Sequence, residues 1–452
     1  MFRNISSNVF GTVLPSLAAL VAVPLLIDKL GVAGFGTFSL QVAALFFFGL
    51  ADLGIARAIV LLSFEPEFAK RGAWRRPYKV GVRYSAWIAL GIALVGIPVA
   101  GVLAEWPPAA QASPADLAWS TLLVFFSAGL TLLMQAPRAV LESQERFLQV
   151  NVIRGPAAAA IFLGPLLALQ VHNSLTAAAV SLLLTRAIAL LLFLVMCGHF
   201  TDADLRAPMG REERARLGPL FVRTAGWIGA TNLLSMLLAY LDRFVLGALG
   251  SATMVGQYAV AQEVVTKAWI SAGAVISAAT PRLASAAADA PETARRVVRQ
   301  IAIWMLAGGV LPSLILIAFG EPLLRLWLRG SFDPAFVLPM QVMAVGLGVN
   351  TLSQVNFTLL QVSGGVREGA YLQAINLVTL SAGLLLAVPA FGTLGAAGVF
   401  SVRLLLDAAV VRWLLRRRLA DRRQGIGVPA MLALAVASCL LLWAVRDMGL
   451  SS

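Results

Sequence analysis

The sequence has few charged residues, few cysteines and few histidines for its length. Only 13% of the 452 residues are charged, against roughly 25% in soluble domains, and this excludes an ordinary soluble protein. Two cysteines, Cys197 and Cys439, give no disulfide framework, and the histidines are limited to His172 and His199. We therefore expect no metal site.

Motifs for covalent or nucleotide-driven chemistry are also missing. The sequence contains no P-loop, no H-E-x-x-H and no C-x-x-C pattern. We expect a protein that is not an enzyme and holds no cofactor. Any transport would then be driven by a proton or sodium gradient, by consumption of the substrate or by a partner.

Long apolar segments are what the sequence has in abundance. Hydrophobic residues make up 59% of it, and the mean hydropathy is +0.85. A helix needs about 20 apolar residues to span a bilayer, and continuous rather than alternating runs exclude a β-barrel. The sequence predicts an all-α polytopic membrane protein. The thirteen predicted spans are 8–28, 36–63, 79–104, 115–138, 150–171, 174–197, 220–249, 256–281, 298–320, 336–362, 369–390, 394–416 and 427–446.

Basic residues alternate between the gaps that separate these spans. Five lie in or next to the gap between spans two and three, and four lie between spans six and seven. The gaps after spans three, five, seven and eleven contain no lysine or arginine. Because cytoplasmic loops carry the excess of basic residues, we predict a cytoplasmic N-terminus. The net charge of +13 thus indicates loop bias rather than a nucleic-acid partner.

The two halves of the sequence resemble each other at an offset of about 220 residues. Six helices per half and a cytoplasmic connection give both halves the same orientation. We predict a six-helix lobe at 1–200, a connection at 201–219, a second six-helix lobe at 220–416, and a basic loop with one additional helix at 417–452. Two pseudo-symmetric lobes around a central cavity are typical of an alternating-access transporter. The matching patterns are Leu30-Gly31, Gly36-Thr37-Phe38 and Gln41 with Leu249-Gly250, Gly256-Gln257-Tyr258 and Gln262, and Leu148-Gln149 and Asn151 with Leu372-Gln373 and Asn376.

Charged residues inside the spans of the first half are costly unless each has a partner or lines a cavity. Asp52 and Arg57 are five residues apart in span two, which places them on different sides of one helix. Two interpretations follow: either these residues form interhelical salt bridges, or they contact a substrate or coupling ion. Arg186 lies in the middle of span six with no acidic residue within two turns, which favours a functional role. For Arg154 the alternatives are a contact with the substrate and a side chain that extends to the membrane interface. For Arg138 they are a place in the lining of an inner vestibule and a place in a solvated turn.

The second half carries a comparable set of charges. Asp242 and Arg243 are adjacent in span seven, so their side chains point in different directions on a helix. Glu263 in span eight precedes Lys267 by four residues, the order that favours an intrahelical ion pair. These carboxylates are candidates for binding a coupling ion, and the ion pair is the alternative for Glu263.

Span twelve completes the set with Arg403 and Asp407. Arg403 occupies nearly the same repeat position as Arg186 in span six. We predict that Arg57, Arg186, Arg243 and Arg403 bind an anionic substrate, with Arg154 and Arg138 as further candidates. Asp52, Asp242, Glu263 and Asp407 are the predicted ion-coupling residues.

Arginine also outnumbers lysine, which occurs four times. The excess reflects either genomic base composition or a use of the bidentate grip of Arg on phosphate. Several arginines in a low-dielectric cavity favour an anionic ligand, and a phosphate or diphosphate suits their geometry.

The first two predicted spans and spans seven and eight resemble the O-antigen and exopolysaccharide flippases of the multidrug/oligosaccharidyl-lipid/polysaccharide exporter superfamily. The similarity covers roughly residues 1–420. The residues that carry it are Asn8, Gly11, Pro24-Leu25-Leu26, Leu30-Gly31, Phe35-Gly36, Asp52-Leu53-Gly54, Asp242-Arg243, Leu249-Gly250, Val255-Gly256-Gln257-Tyr258, Gln262 and Pro281-Arg282-Leu283.

The resemblance implies the two-lobed fold of this superfamily and a location in the bacterial cytoplasmic membrane. It implies movement of an undecaprenyl-diphosphate-linked glycan from the inner to the outer leaflet, with membrane lipids and glycan polymerase or assembly proteins as partners. A lipid II-type flippase, a multidrug or cation antiporter of the same superfamily, and a non-transporting scaffold of a glycan assembly complex remain alternatives. An antiporter would need a dominantly acidic cavity, whereas the buried charges here are mostly arginine.

Overall fold

The computed structural model describes residues 2–50, 54–63, 74–105, 112–202, 205, 209–288, 291–418 and 425–447, and this part of the chain contains helices and no strand. A π-helical turn, Leu306–Val310, joins the helices Pro291–Met305 and Leu311–Leu328, and two short 3₁₀ turns precede the helix Val337–Val362. The helices are α1 Phe2–Leu50, α2 Ile55–Ser63, α3 Arg75–Ala104, α4 Pro114–Leu133, α5 Gln135–Ser143, α6 Phe147–Val171, α7 Leu175–Met196, α8 Arg211–Leu249, α9 Ala252–Ala288, α10 Pro291–Met305, α11 Leu311–Leu328, α12 Val337–Val362, α13 Val366–Arg418 and α14 Val428–Asp447.

Two of the longest helices each contain a glycine with a positive φ. Gly31 in α1 has a φ of 69°, and Gly392 in α13 has a φ of 55°. Glycine adopts this left-handed conformation without the Cβ clash that other residues suffer. Both helices therefore change direction at these glycines, which are the positions where the sequence predicts gaps between spans.

Ten helical segments in the described part of the chain are long and apolar enough to cross a membrane. The segment Leu14–Gly49 covers most of predicted span one and the first half of span two, and Tyr371–Arg418 covers spans eleven and twelve, each continuing across one of the two glycines. Helix α9 covers predicted span eight but is not among the ten. The last candidate, Pro429–Asp447, is the predicted thirteenth span. The protein is a multi-pass membrane protein, as the sequence predicts.

Predicted span two is wrong as a single uninterrupted helix. Helix α1 ends at Leu50 and α2 begins at Ile55, after Gly54 with a φ of 74°. A Cβ on Gly54 would lie 2.3 Å from the carbonyl oxygen of Ala225, so the backbones approach each other closely there. The argument that places Asp52 and Arg57 on one continuous helix therefore fails. Span four, by contrast, is confirmed as one segment, Pro114–Ser143, because Met134 between α4 and α5 keeps a helical φ of −65° and ψ of −22°.

The chain forms two compact units, residues 1–240 and 241–452, and α8 contributes to both. In the first unit α4 packs against α1, α3 and α7, while α6 packs against α1 and α7. Gln41 of α1 donates a hydrogen bond of 2.7 Å from its Nε2 to the Oγ of Ser120 in α4. The buried polar pairing fixes the register of these two helices. The lobe boundary at 201–219 stays a prediction.

In the second unit α12 is the central helix. It packs against α9, α11, α13 and α14, and most of its side chains are buried. Met305, Leu359, Leu415 and Met431 belong to one apolar cluster that includes the terminal helix. The additional C-terminal helix is therefore part of the core of this unit rather than a separate appendage.

Candidate functional site

Four of the predicted site residues meet in the second unit, around the buried carboxylate of Asp242. The side chain of Asp242 is only 4% exposed. It accepts hydrogen bonds from the hydroxyl of Tyr258 at 2.5 Å and from Nε2 of Gln262 at 3.1 Å. The backbone N–H of Arg243 donates a third bond of 2.8 Å. Three donors compensate for the removal of this carboxylate from water.

The hairpin between α8 and α9 brings these groups together. The helices are separated only by Gly250 and Ser251, so they are antiparallel neighbours, and Asp242 and Tyr258 are each eight residues from Gly250. Tyr258 and Gln262 are four residues apart and share one face of α9. Their side chains therefore converge on the same carboxylate.

Gln262 links the adjacent charges of Asp242 and Arg243. Its Nε2 donates to Asp242, and its Oε1 accepts a hydrogen bond of 2.9 Å from Nε of Arg243. Arg243 also interacts electrostatically with Asp242. A neutral amide mediates between them and holds Arg243 in a defined position.

Arg403, from the second half of α13, is the cation that faces this cluster. Its guanidinium interacts electrostatically with Asp242, Tyr258 and Asp407. Asp407 also accepts a hydrogen bond of 2.9 Å from Nδ2 of Asn376. The buried Nε of Arg403 has no hydrogen-bond partner among the described residues. The guanidinium thus interacts with two carboxylates and keeps an unused donor.

Arg186 has a different environment in the first unit. Its side chain lies in α7 and is only 7% exposed, and its buried Nε has no hydrogen-bond partner in the described part of the chain. The neighbouring hydroxyl of Thr185 donates to the backbone carbonyl of Ser181 instead. A buried cation without a compensating group is costly, and this makes Arg186 the arginine with the clearest need for an anion.

Of the remaining predicted substrate contacts, Arg57, Arg138 and Arg154 do not join either environment. Arg57 and Arg154 are exposed at α2 and α6. Arg138 forms an ion pair of 2.8 Å with Glu142. Asp52 lies outside the described residues.

The intrahelical ion pair, which is the alternative to ion coupling for Glu263, is present in α9. Nζ of Lys267 lies 2.6 Å from a carboxylate oxygen of Glu263. By contrast, no ion pair joins Arg403 to Asp407 across the same four-residue spacing in the reverse order. The preference for an acidic residue before a basic one on a helix accounts for this difference.

Three polar residues of the cluster have no role in the sequence-based site prediction. Tyr258, Gln262 and Asn376 all belong to the repeated patterns shared by the two halves. The repeat was the available signal, since it singled out polar residues inside otherwise apolar spans. The described residues contain no group of three His, Cys, Asp or Glu suited to a metal ion.

Comparison with known proteins identifies a matching family and similar proteins. The family described as "Polysaccharide biosynthesis protein" matches residues 1–287. A Shigella flexneri protein named "Putative O-antigen transporter" is 26% identical over 421 residues, which cover 92% of this chain and 98% of that protein.

Solved structures show the same fold at low sequence identity. The lipid II flippase MurJ in an inward closed conformation is 11% identical with a TM-score of 0.69, covering 97% of this chain and 93% of that one. An inward-facing multidrug resistance MATE family transporter of the MOP superfamily is 14% identical with a TM-score of 0.67, covering 94% and 98%. The all-helical fold is therefore that of the MATE and MurJ transporters. Since the family match covers more than half of the chain, this protein belongs to the polysaccharide biosynthesis protein family.

Proposed function

We propose that this protein is a flippase that moves a polyprenyl-diphosphate-linked glycan from the inner to the outer leaflet of the bacterial cytoplasmic membrane. The family match and the similarity to a protein named for O-antigen transport support a lipid-linked glycan as cargo. The observation that carries the proposal is Arg186, a buried guanidinium whose Nε has no hydrogen-bond partner among the described residues. A diphosphate supplies the missing charge and acceptors.

The mechanism follows from the charge distribution in the two units. A diphosphate head group cannot cross hydrocarbon without compensation for its charge. We propose that Arg186 of the first unit and Arg243 and Arg403 of the second unit supply it in a cationic cavity, which alternating access opens to each side in turn. Arg57, Arg138 and Arg154 are exposed or half-buried and would contact the cargo only on entry or exit. The N-terminus is cytoplasmic in this proposal.

Coupling to a proton or sodium gradient is assigned to the carboxylates beside Arg403. Asp242 and Asp407 both interact electrostatically with this arginine, so loss of either negative charge leaves Arg403 less neutralised. Glu263 is already paired with Lys267, which makes it the weaker candidate. Asp52 remains a candidate for ion coupling on the basis of its position in the sequence alone. No bound cofactor is required.

The decisive experiment is reconstitution of the full chain in liposomes with a fluorescent polyprenyl-diphosphate glycan in one leaflet. We expect transfer to the other leaflet by the wild type and its loss in Arg186→Ala and Arg403→Ala, with partial recovery in Arg186→Lys. Arg446→Ala, a change at an exposed arginine near the end of α14, should transport normally. Normal transport by both test variants would disprove the proposed site.

The same assay separates the alternative functions. A glycan polymerase or assembly protein added to the liposomes should consume the cargo only after it has been flipped. Transport of lipid II alone would identify a lipid II-type flippase, and cation-dependent drug export would identify an antiporter. A folded wild-type protein that moves none of these would favour a scaffold role in glycan assembly.

A further inference from the structure

A narrow groove lies between the two halves of α13 in the second unit. The two halves meet at Gly392, and residues from 379–391 and 394–406 line a cavity of about 350 Å³ between them. Nearly all of the lining is apolar, and the rim includes Phe391, Val402 and Leu406, which are 68%, 54% and 51% exposed. The groove therefore opens on an apolar surface.

Three glycines shape the groove, and they do so in two ways. A Cβ on Gly395 would lie 2.3 Å from the carbonyl oxygen of Ala387, and one on Gly383 would lie 2.9 Å from Cγ1 of Val399. These two glycines permit the close approach of the two half-helices. A Cβ on Gly398 would meet nothing within 4 Å. Gly398 thus leaves the groove open where almost any other residue would fill it.

The groove has the proportions of an extended hydrocarbon chain rather than of a compact ligand. From Thr379 to Phe391 the first half of α13 advances twelve residues, which corresponds to about 18 Å along the helix axis. Among the residues that line the groove, Thr379 alone has a hydroxyl, and that hydroxyl bonds to the backbone carbonyls of Ile375 and Asn376. The walls therefore offer contacts to methylene and methyl groups but few hydrogen bonds.

One end of the groove carries a positive charge. Arg403 is the single charged residue among those that line it. The same guanidinium interacts with Asp242 and Asp407, so Arg403 forms the boundary between the apolar groove and the polar cluster. Its buried Nε has no hydrogen-bond partner among the described residues. An apolar channel that ends at such a cation matches a long hydrocarbon with an anionic head.

We propose that this groove binds the polyprenyl chain of the lipid-linked substrate and directs its diphosphate to Arg403. The inference rests on the proposed function and adds a site for the lipid tail within the second unit. The isoprenoid methyl branches fill the space left by Gly398, while the charged head remains beside the polar cluster. Binding of the tail would then hold the head group in position during the conformational change.

The test uses Gly398→Leu in the full-length protein in lipid nanodiscs. The probe is an undecaprenyl-length polyprenyl diphosphate with a photoreactive diazirine on an isoprene unit. We expect the Kd of this probe to rise about tenfold in Gly398→Leu because the new side chain occupies the groove. Photolabelling of residues 379–406 should fall in parallel. Binding of inorganic diphosphate, which has no tail, should stay unchanged.

Gly91→Leu is the matched control. Gly91 is an exposed helical glycine in α3 at which a Cβ would also meet nothing within 4 Å. The same change should therefore be tolerated there and should leave probe binding unaltered. Thermal unfolding of both variants verifies that the second unit remains folded, and Gly398→Ala serves as a smaller change if Gly398→Leu proves unstable.

The outcomes are distinguishable. Suppose that the wild type binds and flips normally and that Gly398→Leu, or Gly398→Ala if it has to replace it, loses no affinity for the probe. This result would overturn the assignment of the groove and leave the proposed function intact. A phospholipid that occupies the wild-type groove and resists displacement by excess probe would also overturn it. If the wild type neither binds nor flips the prenyl-diphosphate glycan, the proposed function fails and the groove assignment fails with it.

Discussion

The hydroxyl of Tyr258 donates a hydrogen bond of 2.5 Å to the carboxylate of Asp242, across the hairpin between α8 and α9. Both side chains are buried, with Tyr258 fully enclosed and Asp242 only 4% exposed. The bond joins two helices at a point where the sequence otherwise offers apolar contacts. It positions the carboxylate that faces Arg403, so its loss should affect both stability and cargo binding.

Replacement of Tyr258 by Phe should destabilise the second unit. The change leaves one donor fewer on a buried carboxylate, and we expect a loss of about 1–3 kcal/mol in the free energy of unfolding. The measurement is thermal or denaturant unfolding in detergent. Tyr84→Phe is the control, because the described residues show no hydrogen bond from the Tyr84 hydroxyl and its ring packs on Phe221. Equal stability of the two variants would contradict the structural role of the hydroxyl.

Replacement of Asp407 by Asn should strengthen binding of a polyprenyl diphosphate. The change removes one of the two carboxylates that interact with Arg403 and retains an oxygen that can accept from Asn376. We expect a gain in affinity of about threefold to tenfold, or roughly 1 kcal/mol. Equilibrium binding to protein in nanodiscs measures it, with the exposed Asp447→Asn as control.

The same variant tests how binding depends on pH. Protonation of Asp407 removes the same negative charge as the Asn substitution. Wild-type affinity for the diphosphate should therefore rise as the pH falls, within the range in which the diphosphate keeps its charge, and the rise should be smaller in Asp407→Asn. A weaker affinity in the variant at every pH would show that Asp407 does not compete with the cargo for Arg403.

The ion pair between Glu263 and Lys267 should be structural. Removal of either charge, by Glu263→Gln or Lys267→Met, should cost about 0.5 kcal/mol, as expected for a four-residue helical pair, and a double-mutant cycle should recover that coupling. Gradient-dependent flipping should persist in both variants. If Glu263→Gln alone abolishes the response to a gradient while Lys267→Met does not, Glu263 takes part in coupling and this expectation is wrong.

Gly54 should tolerate no side chain. Its φ of 74° disfavours other residues, and a Cβ would lie 2.3 Å from the carbonyl oxygen of Ala225. We expect Gly54→Ala to lower the free energy of unfolding by about 1–3 kcal/mol. Gly91→Ala, at an open helical position of α3, should leave stability unchanged or raise it by up to about 1 kcal/mol. Unfolding of the two variants under identical conditions measures the difference.

Much of the fold follows from local sequence properties. Apolar runs of span length predict helices because the backbone must satisfy its own hydrogen bonds in lipid, and the described structure contains helices throughout. The pair Glu263 and Lys267 could be predicted because both residues lie on one helix at a fixed spacing. The gaps at Gly31 and Gly392 were also placed correctly.

Tertiary packing decided the rest. Nothing in the spacing of Gly54 and Arg57 reveals that the helix is interrupted inside predicted span two, at the point where the backbone of Ala225 lies close to Gly54. Sequence alone separates Arg403, which has Asp407 four residues later, from Arg186, which has no acidic residue nearby, but it could not show that Asp242 of another helix also interacts with Arg403.

The sequence by itself determined that this protein is a helical membrane protein with arginines buried in its spans. Only the tertiary structure decided that Arg403 interacts with two carboxylates, Asp242 and Asp407, whereas no carboxylate of the described chain compensates the buried charge of Arg186. The reason is that helix formation and membrane insertion depend on consecutive residues, while the neutralisation of a buried charge depends on side chains that other helices bring to it.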